Sequence, residues 1–339
     1  MYHPITYPEA IVVGLIQGVT ELFPVSSLGH NVLIPALIGG TWAKDLSVSA
    51  PESPYLAFIV GMHVATAVAM IIYFWRDWLR IAKGFFGSVA HVASPAPGTR
   101  RWQPQTIEQK LAWMIILATI PVGIAGLALE HDFRVYFSKP VLTAVFLAVN
   151  GLILFAGERV RRRRTGLDAS QSVEDREMAA VGAGSAPRHS CGQRALKQQE
   201  ADLAVRSDRR VTRLGWASAF GLGASQILAL LPGISRDGVV MVSGMFRGLS
   251  RQDAARFSFL LSAPVILAAG VLKIPDLTGP LGNGVRGEVL VGSILSGVGA
   301  YLALRFLMRY FSNPNRTLTP FAIYCLVVGL GSVIYLGVT

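Results

Sequence analysis

The sequence predicts an all-α polytopic membrane protein with two inverted-topology repeats, each made of a re-entrant helical hairpin and three transmembrane helices. The chain has 339 residues, of which 52% are apolar and 15% charged, and its mean hydropathy is +0.48. Soluble domains carry about 25% charged residues, so this composition indicates a membrane protein. Two apolar stretches are also interrupted by polar residues at corresponding places in the two halves, residues 17–30 and 231–238.

The first interruption, residues 17–30, reads QGVTELFPVSSLGH. The apolar runs beside it, residues 5–19 and 32–40, fall short of the ~20 helical residues that cross a hydrocarbon core. Pro24 cannot continue a helix, so we predict a re-entrant hairpin over residues 5–40. Irregular backbone at membrane depth occurs only where protein buries it or where it lines a wet cavity, so this hairpin is a candidate functional site.

The other elements follow from the lengths of the apolar runs. We predict a first repeat over residues 1–157, a charged linker over residues 158–212 and a second repeat over residues 213–339. The second repeat begins with a hairpin over residues 216–248, in which LPGISR interrupts the apolar pattern. Six further runs are predicted to be transmembrane spans: residues 55–75, 111–129, 141–156, 257–272, 289–308 and 321–336.

Two hydrophilic segments are expected to lie outside the membrane. Arg and Lys residues follow Trp75 in a segment that we interpret as a loop rich in proline and glycine. Residues 165–210 have few large apolar side chains, which predicts a flexible or weakly helical linker without a core. Within this linker, residues 190–210 could form a solvated helix.

The distribution of charge predicts the orientation in the membrane. Basic residues are concentrated after residue 75, after residue 156 and around residues 247–256 and 305–316, whereas the opposite loops contain few. By the positive-inside rule the basic loops and the linker are cytoplasmic, and both termini lie outside. Three spans in each half then make the repeats inverted, and the tips of the two hairpins can meet near the midplane.

Composition also excludes several classes of protein. Cys191 and Cys325 form no disulfide framework, and no metal-binding spacing such as C-x-x-C is present. The net charge of +11 comes from basic residues at the ends of apolar runs, so no nucleic-acid partner is expected. Residues 1–8 lack the basic start of a cleaved signal peptide, so Met1 is expected to begin the mature chain.

Polar side chains in the first hairpin form one group of candidate functional residues. Gln17 and Glu21 share a helix face with Gly14 and Gly18, which would let a neighbouring backbone approach closely. A carboxylate at membrane depth costs roughly 2.5–3.5 kcal/mol on insertion scales, which marks Glu21 as a functional candidate. The buried carboxylate needs compensation, so it holds a metal, pairs with Arg236 or acts as a base.

Ser26 and Ser27 begin the returning half-helix of this hairpin. Serine is a preferred N-cap residue, and the free N–H groups at a helix start also attract phosphate. Ser27 and His30 are three residues apart, which allows the nucleophile–base arrangement of a hydroxyl and an imidazole. Three other polar side chains in apolar runs are expected to form interhelical hydrogen bonds: His63, Asn150 and Gln226.

The second hairpin contributes Gly233, Ser235 and Arg236 in a Pro-Gly-x-Ser-Arg turn. An arginine at membrane depth is costly unless it meets an anion, and its planar fork suits phosphate. Asp237 is expected to cap the helix that follows, with metal binding and orientation of the guanidinium as alternatives. Together the two hairpins predict phosphoryl chemistry on a phosphate or diphosphate whose tail remains in lipid.

These motifs resemble those of the undecaprenyl-diphosphate phosphatase family, the bacterial bacitracin-resistance membrane phosphatases. QGVTELFPVSSLGH at residues 17–30 and LPGISR at residues 231–236 carry the resemblance. FWR at residues 74–76, GLSRQDAARFSFLLSA at residues 248–263 and PFAIY at residues 320–324 support it. The resemblance covers nearly the whole chain except the linker.

The resemblance implies an enzyme of the bacterial plasma membrane that removes one phosphate from the C55 isoprenoid diphosphate and regenerates the lipid carrier of cell-wall synthesis. It also implies an active site open to the outer face and dependence on a divalent metal ion, Mg²⁺ or Ca²⁺; a homodimer is kept as a hypothesis. The family's catalytic positions are matched by Glu21, Ser27, His30 and Arg236. The candidate substrate-binding residues are Gln17, Ser26, Gly233, Ser235 and Asp237, and the candidate metal ligands are Glu21 and Gln17.

The chain departs from the family pattern at three positions and in its longer linker. Gln17 replaces the more usual glutamate, which weakens the case for a metal site with two carboxylates. Asp237 and Val240 stand where many members have serine and threonine, so hydroxyls are missing from the phosphate cradle. Two mechanisms stay open: attack by Ser27, assisted by His30 or Glu21, and direct attack by water.

Two other functions share parts of this pattern. A lipid-phosphate transporter would use the same anion site and inverted repeat but would need no nucleophile. A phosphatidic-acid-phosphatase-type enzyme is suggested by S-x-G-H at residues 27–30, but its K-x6-R-P motif is missing, so we disfavour it.

Overall fold

The computed structural model describes residues 5–46, 54–94, 101, 103–137, 139–167, 192–278 and 284–338. Within these ranges the regular structure is helical and no strand occurs. Five of the helices are long and apolar enough to cross a membrane, and a bent pair of helices adds a sixth candidate. The predicted class, an all-α polytopic membrane protein, is therefore confirmed.

The helices of the first half are α1 (Tyr7–Leu22), α2 (Ser27–Ile38), α3 (Gly40–Asp45), α4 (Pro54–Tyr73), α5 (Trp75–Ala93), α6 (Ile107–Phe137) and α7 (Pro140–Leu167). The later helices are α8 (Gly192–Arg213), α9 (Trp216–Ser225), α10 (Arg236–Phe246), α11 (Arg251–Thr278), α12 (Arg286–Ser312) and α13 (Thr319–Val338). A 3-10 helix, Gln226–Leu230, extends α9 toward the second interruption.

Both predicted interruptions are breaks between short helices. In the first hairpin α1 ends before Pro24, and the Ser26 side chain caps α2 by accepting a hydrogen bond from the Gly29 N–H at 3.2 Å. In the second hairpin Ser235 caps α10 by accepting from the Gly238 N–H at 3.1 Å. The expectation that Asp237 caps this helix was wrong, because Asp237 lies inside its first turn.

The first part of the segment that we predicted to be a loop after Trp75 is a helix, Trp75–Ala93. Helices α4 and α5 meet at Phe74 with a bend of 84°. In α5, Ile81, Gly84 and Ser88 are buried at intervals of three and four residues, and this face packs against α6. The charged residues that suggested a loop lie on an amphipathic helix, which needs only one apolar stripe.

Helices from the two halves of the chain interlock through small residues. Gly14 of α1 lies against Gly292 of α12, and Gly18 lies against Ser296, one turn further along. A methyl group at either glycine would overlap the backbone of α12, so close packing requires a residue without a side chain. This confirms the close approach expected on this face, and it means that a helix of the second half holds the first hairpin in place.

The linker helix α8 packs on the bundle at its C-terminal end. Residues 168–191 lie outside the described ranges, and α8 begins at Gly192. Near its end Ser207, Asp208, Val211 and Thr212 are buried. The helix was expected, but the expectation that it is solvated was wrong for this end, because the buried positions recur at helical spacing.

A cluster of charged residues connects α8 to helices of both halves. Asp208 accepts a hydrogen bond from Arg256 of α11 and lies 3.0 Å from Arg80 of α5. Arg256 also lies 3.0 Å from Asp77 of α5. These ion pairs compensate charges that are buried together, so the end of the linker belongs to the folded body of the protein.

Candidate active site

The tips of the two hairpins are in direct contact. The Gly233 N–H donates a hydrogen bond to the Ser26 hydroxyl at 3.2 Å. Gly233 has φ of +107°, and a Cβ there would overlap the Thr143 carbonyl of α7, so only glycine fits without strain. Ser26 itself has φ of +69°, which is uncommon for a residue with a side chain. The contact therefore joins two backbone segments in unusual conformations.

Asn150 of α7 holds the two tips together from behind. Its Nδ2 donates to the Pro24 carbonyl at 2.9 Å, and its Oδ1 accepts from the Ser235 N–H at 3.0 Å. The side chain is fully buried. The interhelical hydrogen bonding expected for Asn150 is confirmed, and its partners are the two interruptions themselves.

We expect Asn150→Leu to lower both stability and activity. The substitution leaves the buried Ser235 N–H without its partner and the Pro24 carbonyl with only the weak Cys325 thiol donor at 3.9 Å, and an unsatisfied buried group costs about 1–3 kcal/mol. Thermal unfolding in detergent should occur at a lower temperature, and phosphate release should fall by about tenfold or more as the tips separate. Val149→Leu, on the exposed side of the same helix, is the control. An unchanged unfolding temperature in Asn150→Leu would contradict this role.

Glu21 is the centre of the site. It is 6% exposed, and its carboxylate accepts hydrogen bonds from both hairpins. Oε1 accepts from Arg236 at 2.5 Å, across the junction of the tips. Oε2 accepts from the Ser27 hydroxyl and from Gln17 Nε2, the latter at 2.8 Å. Three of the site residues that the sequence predicted thus donate hydrogen bonds to the carboxylate of Glu21, which the sequence also predicted.

His63 of α4 is a further partner of Glu21 that the sequence did not identify. Its Nε2 lies 3.3 Å from Glu21 Oε2, and its Nδ1 lies 2.8 Å from the Ile59 carbonyl. A single histidine in an apolar run indicates only an interhelical contact. No local pattern in the sequence connects position 63 with position 21, since only the packing of α4 beside α1 brings them together.

Arg236 is positioned to hold an anion. Its side chain is 18% exposed, and one terminal nitrogen is used by Glu21. Its Nε is buried and has no hydrogen-bond partner among the described residues. A buried guanidinium nitrogen without an acceptor is costly, and a phosphate oxygen would satisfy it.

His30 has other partners than those predicted for a base. Its Nδ1 lies 2.7 Å from the Ser26 carbonyl, and its Nε2 lies 2.8 Å from the Tyr324 hydroxyl. Its ring stacks on the Tyr324 ring. In the described part of the chain no hydrogen bond joins His30 to Ser27, and the group within reach of the Ser27 hydroxyl is Glu21. A catalytic role for His30 stays a prediction.

Asp237 forms its side-chain hydrogen bonds with the next helix, α11. Its Oδ1 accepts hydrogen bonds from Ser258 at 2.5 Å and Ser262 at 2.7 Å, both on α11. Its Oδ2 is buried and has no partner within the ranges that the structure describes. The side chain therefore connects α10 to α11, and a role in substrate binding stays a prediction.

The donor set around Glu21 does not fit a resident divalent ion. Mg²⁺ and Ca²⁺ take six or more oxygen ligands, most often carboxylates and carbonyls. Both oxygens of Glu21 already accept hydrogen bonds, and the Gln17 carbonyl accepts from Asn31 at 2.6 Å. Among the described residues, no three His, Cys, Asp or Glu side chains are grouped so as to hold a metal. Metal binding by Glu21 and Gln17 therefore stays a prediction without support from the geometry.

The arrangement can support nucleophilic chemistry on an anion. A hydroxyl that donates to a buried carboxylate can lose its proton to that carboxylate as it attacks. An arginine with an unused nitrogen and the N–H groups at the start of α2 and α10 can bind phosphate oxygens. These groups occur together at the junction of the two hairpins.

Comparison with known proteins gives a consistent result. The family model described as "Bacitracin resistance protein BacA" matches residues 10–331. A protein named undecaprenyl-diphosphatase from Mycolicibacterium paratuberculosis is 55% identical over 332 residues, which cover 98% of each chain. The protein of that name from Mycobacterium avium is 54% identical over the same length and coverage. Undecaprenyl-diphosphatase 2 of Frankia alni is 49% identical over 350 residues, covering 96% of this chain and 97% of its own.

Proposed function

The chain belongs to the bacitracin resistance protein BacA family, and we infer from this membership that it is an undecaprenyl-diphosphatase. As such it is a membrane enzyme that hydrolyses undecaprenyl diphosphate to undecaprenyl phosphate and phosphate. Curated relatives with this name span nearly the whole chain, which favours the phosphatase over the transporter. One observation assigns this activity to a site: Ser27 and Arg236 both donate hydrogen bonds to Glu21.

We propose that the diphosphate binds where the two hairpins meet. The unused Nε of Arg236 and the N–H groups at the start of α10 would donate hydrogen bonds to the oxygens of the terminal phosphate. Ser26 and Gly233 are already hydrogen-bonded to each other, so their role is to hold the N-termini of α2 and α10 at a fixed distance. The polyprenyl chain would remain in the hydrocarbon region.

The Ser27 oxygen would then attack the terminal phosphorus. Its proton passes to Glu21 Oε2 and from there to the departing undecaprenyl phosphate as the P–O bond to the bridging oxygen breaks, so that Glu21 is ionised again. Water would hydrolyse the phosphoserine and restore the hydroxyl, with Glu21 now acting as the base. In the alternative mechanism water attacks directly and Ser27 only binds. Support for the first version comes from the hydrogen bond between the Ser27 hydroxyl and Glu21.

The membrane arrangement is part of the proposal. We propose two inverted repeats, a cytoplasmic linker and a site that opens to the outer face. The support is the distribution of Arg and Lys along the sequence. Contacts among α5, α8 and α11 add to it, because they gather predicted cytoplasmic residues at one end of the bundle.

Phosphate release from C55 diphosphate by the detergent-purified protein tests the function. We expect one phosphate per lipid and accumulation of the monophosphate, with no release from the monophosphate itself. Reconstituted vesicles provide the comparison with the transporter. Movement of the lipid across the bilayer without any phosphate release would contradict the phosphatase and favour the transporter.

A further inference from the structure

We propose that Arg236 and His63 together occupy the two oxygens of Glu21 as hydrogen-bond donors, so that no ligand position is left for a divalent ion and the site has no resident metal. In this proposal His63 is a positioning residue, which acts on the substrate through Glu21. The proposal rests on the proposed function, because it assigns His63 a role in that reaction. Its first test is a metal-binding measurement that requires no turnover.

The two nitrogens of His63 both face hydrogen-bond acceptors. Nδ1 lies 2.8 Å from the Ile59 carbonyl oxygen, which can only accept. Nε2 lies 3.3 Å from Oε2 of Glu21, a carboxylate oxygen that accepts from two other donors. A carboxylate is the stronger acceptor of the two neighbours, because a hydrogen bond to an ionised group is stronger than one to a carbonyl. The surroundings therefore favour the tautomer of His63 that donates from Nε2 to Glu21.

Glu21 then has a donor at each carboxylate oxygen from a helix outside its own hairpin. Arg236 approaches Oε1 from α10, and His63 approaches Oε2 from α4. The Glu21 side chain is 3% exposed, whereas those of His63 and Arg236 are 25% and 18% exposed. The two donors are thus more exposed than the carboxylate that they contact. One of them, the Arg236 guanidinium, repels a divalent ion and attracts a diphosphate.

The proposal has a consequence for metal dependence. If a divalent ion assists turnover, it must arrive bound to the diphosphate of the lipid, whose oxygens are the ligands that Mg²⁺ prefers. In the absence of lipid the protein should bind no divalent ion at Glu21. The replacement of the usual glutamate by Gln17 is consistent with this, since Gln17 donates to Glu21 through Nε2.

Mn²⁺ alone is the probe for the first test. The detergent-purified wild-type chain, without lipid, is titrated while the electron paramagnetic resonance signal of free Mn²⁺ is recorded. We expect the same signal as in buffer with detergent. Stoichiometric binding of about one Mn²⁺ per chain, lost in Glu21→Gln, would overturn the proposal. A wild-type chain that releases no phosphate would disprove the function and leave this measurement interpretable.

Substitutions of His63 provide the second test. His63→Gln retains an N–H donor for Glu21, and His63→Leu removes it. A hydrogen bond to a charged group corresponds to roughly a 10- to 100-fold effect, so His63→Leu should lower kcat/KM by that factor. His63→Gln should recover most of this loss. Thr66→Val is the control, because the Thr66 hydroxyl donates to the His63 carbonyl within α4 and does not contact Glu21.

Each outcome of the substitution series decides the role. Recovery in His63→Gln supports a positioning residue, because a general acid–base imidazole cannot be replaced by a carboxamide. Equal losses in both variants would contradict the proposal and indicate that the imidazole itself transfers protons. Wild-type activity in both variants would contradict any role for His63.

Discussion

Arg236→Ala is expected to reduce kcat/KM for C55 diphosphate by about 10³-fold or more. The guanidinium is the group in the second hairpin that can meet a phosphate, and charge stabilisation provides much of the catalysis in phosphoryl transfer. Its loss also leaves the Glu21 carboxylate without its 2.5 Å partner. Phosphate release at several lipid concentrations measures the effect.

Arg236→Lys separates charge from geometry in this prediction. Lysine keeps the positive charge but lacks the planar fork of donors that can contact Glu21 and a phosphate at the same time. We therefore expect kcat/KM to fall by about 10- to 100-fold. Breaking a buried ion pair costs about 3–5 kcal/mol of stability, so thermal unfolding of each variant must be recorded as well. Arg247→Ala, at the exposed end of the same helix, is the matched control. A folded Arg236→Ala protein with more than a tenth of wild-type activity would refute the assigned role.

Ser27→Ala is expected to abolish turnover, with a loss on the order of 10⁴-fold or more if Ser27 is the nucleophile. The side chain donates to Glu21, and its removal takes away the attacking oxygen without changing Arg236. Binding of the lipid diphosphate should stay within a few-fold of wild type. Ser225→Ala is the control, because its hydroxyl donates only to the Leu222 carbonyl of its own helix.

The two mechanisms for Ser27 differ in one measurable species. Rapid acid quenching followed by mass spectrometry of the peptide that contains Ser27 should detect phosphoserine if the hydroxyl attacks. Loss of turnover in Ser27→Ala without any phosphoserine would favour direct attack by water. Full activity in Ser27→Ala would exclude both mechanisms.

The sequence was sufficient for features with a local chemical cause. Pro24 and Pro232 each stand in a cluster of polar residues that interrupts an apolar run, and this local combination was sufficient to predict both breaks. Proline alone was not the signal, because Pro35 and Pro121 lie inside helices. Glu21 and Arg236 are unusual at membrane depth, and each predicts the need for the other. The small residues at positions 14 and 18 similarly predicted a close helix contact, although not the identity of the partner helix.

The structure differs where the outcome depends on packing between distant segments. His63 contacts Glu21 only because α4 lies beside α1, and Asp237 is bonded to Ser258 only because α11 lies beside α10. The α5 helix was not predicted because its charged residues outnumber the few residues that it buries. The burial of the end of α8 was not predicted for a similar reason, because the charged residue Asp208 is buried by partners on two other helices.

The interlocking of the two halves affects the order in which the protein can be made. Arg236 follows Glu21 by 215 residues, and the α12 surface that contacts Gly18 is synthesised still later. At ~5–20 residues per second, the ribosome needs roughly 10–40 s to reach Arg236 after Glu21. During that interval Glu21 lacks its arginine partner, so its side chain must remain hydrated or protonated. A nascent chain that stops in the linker therefore has no assembled catalytic site.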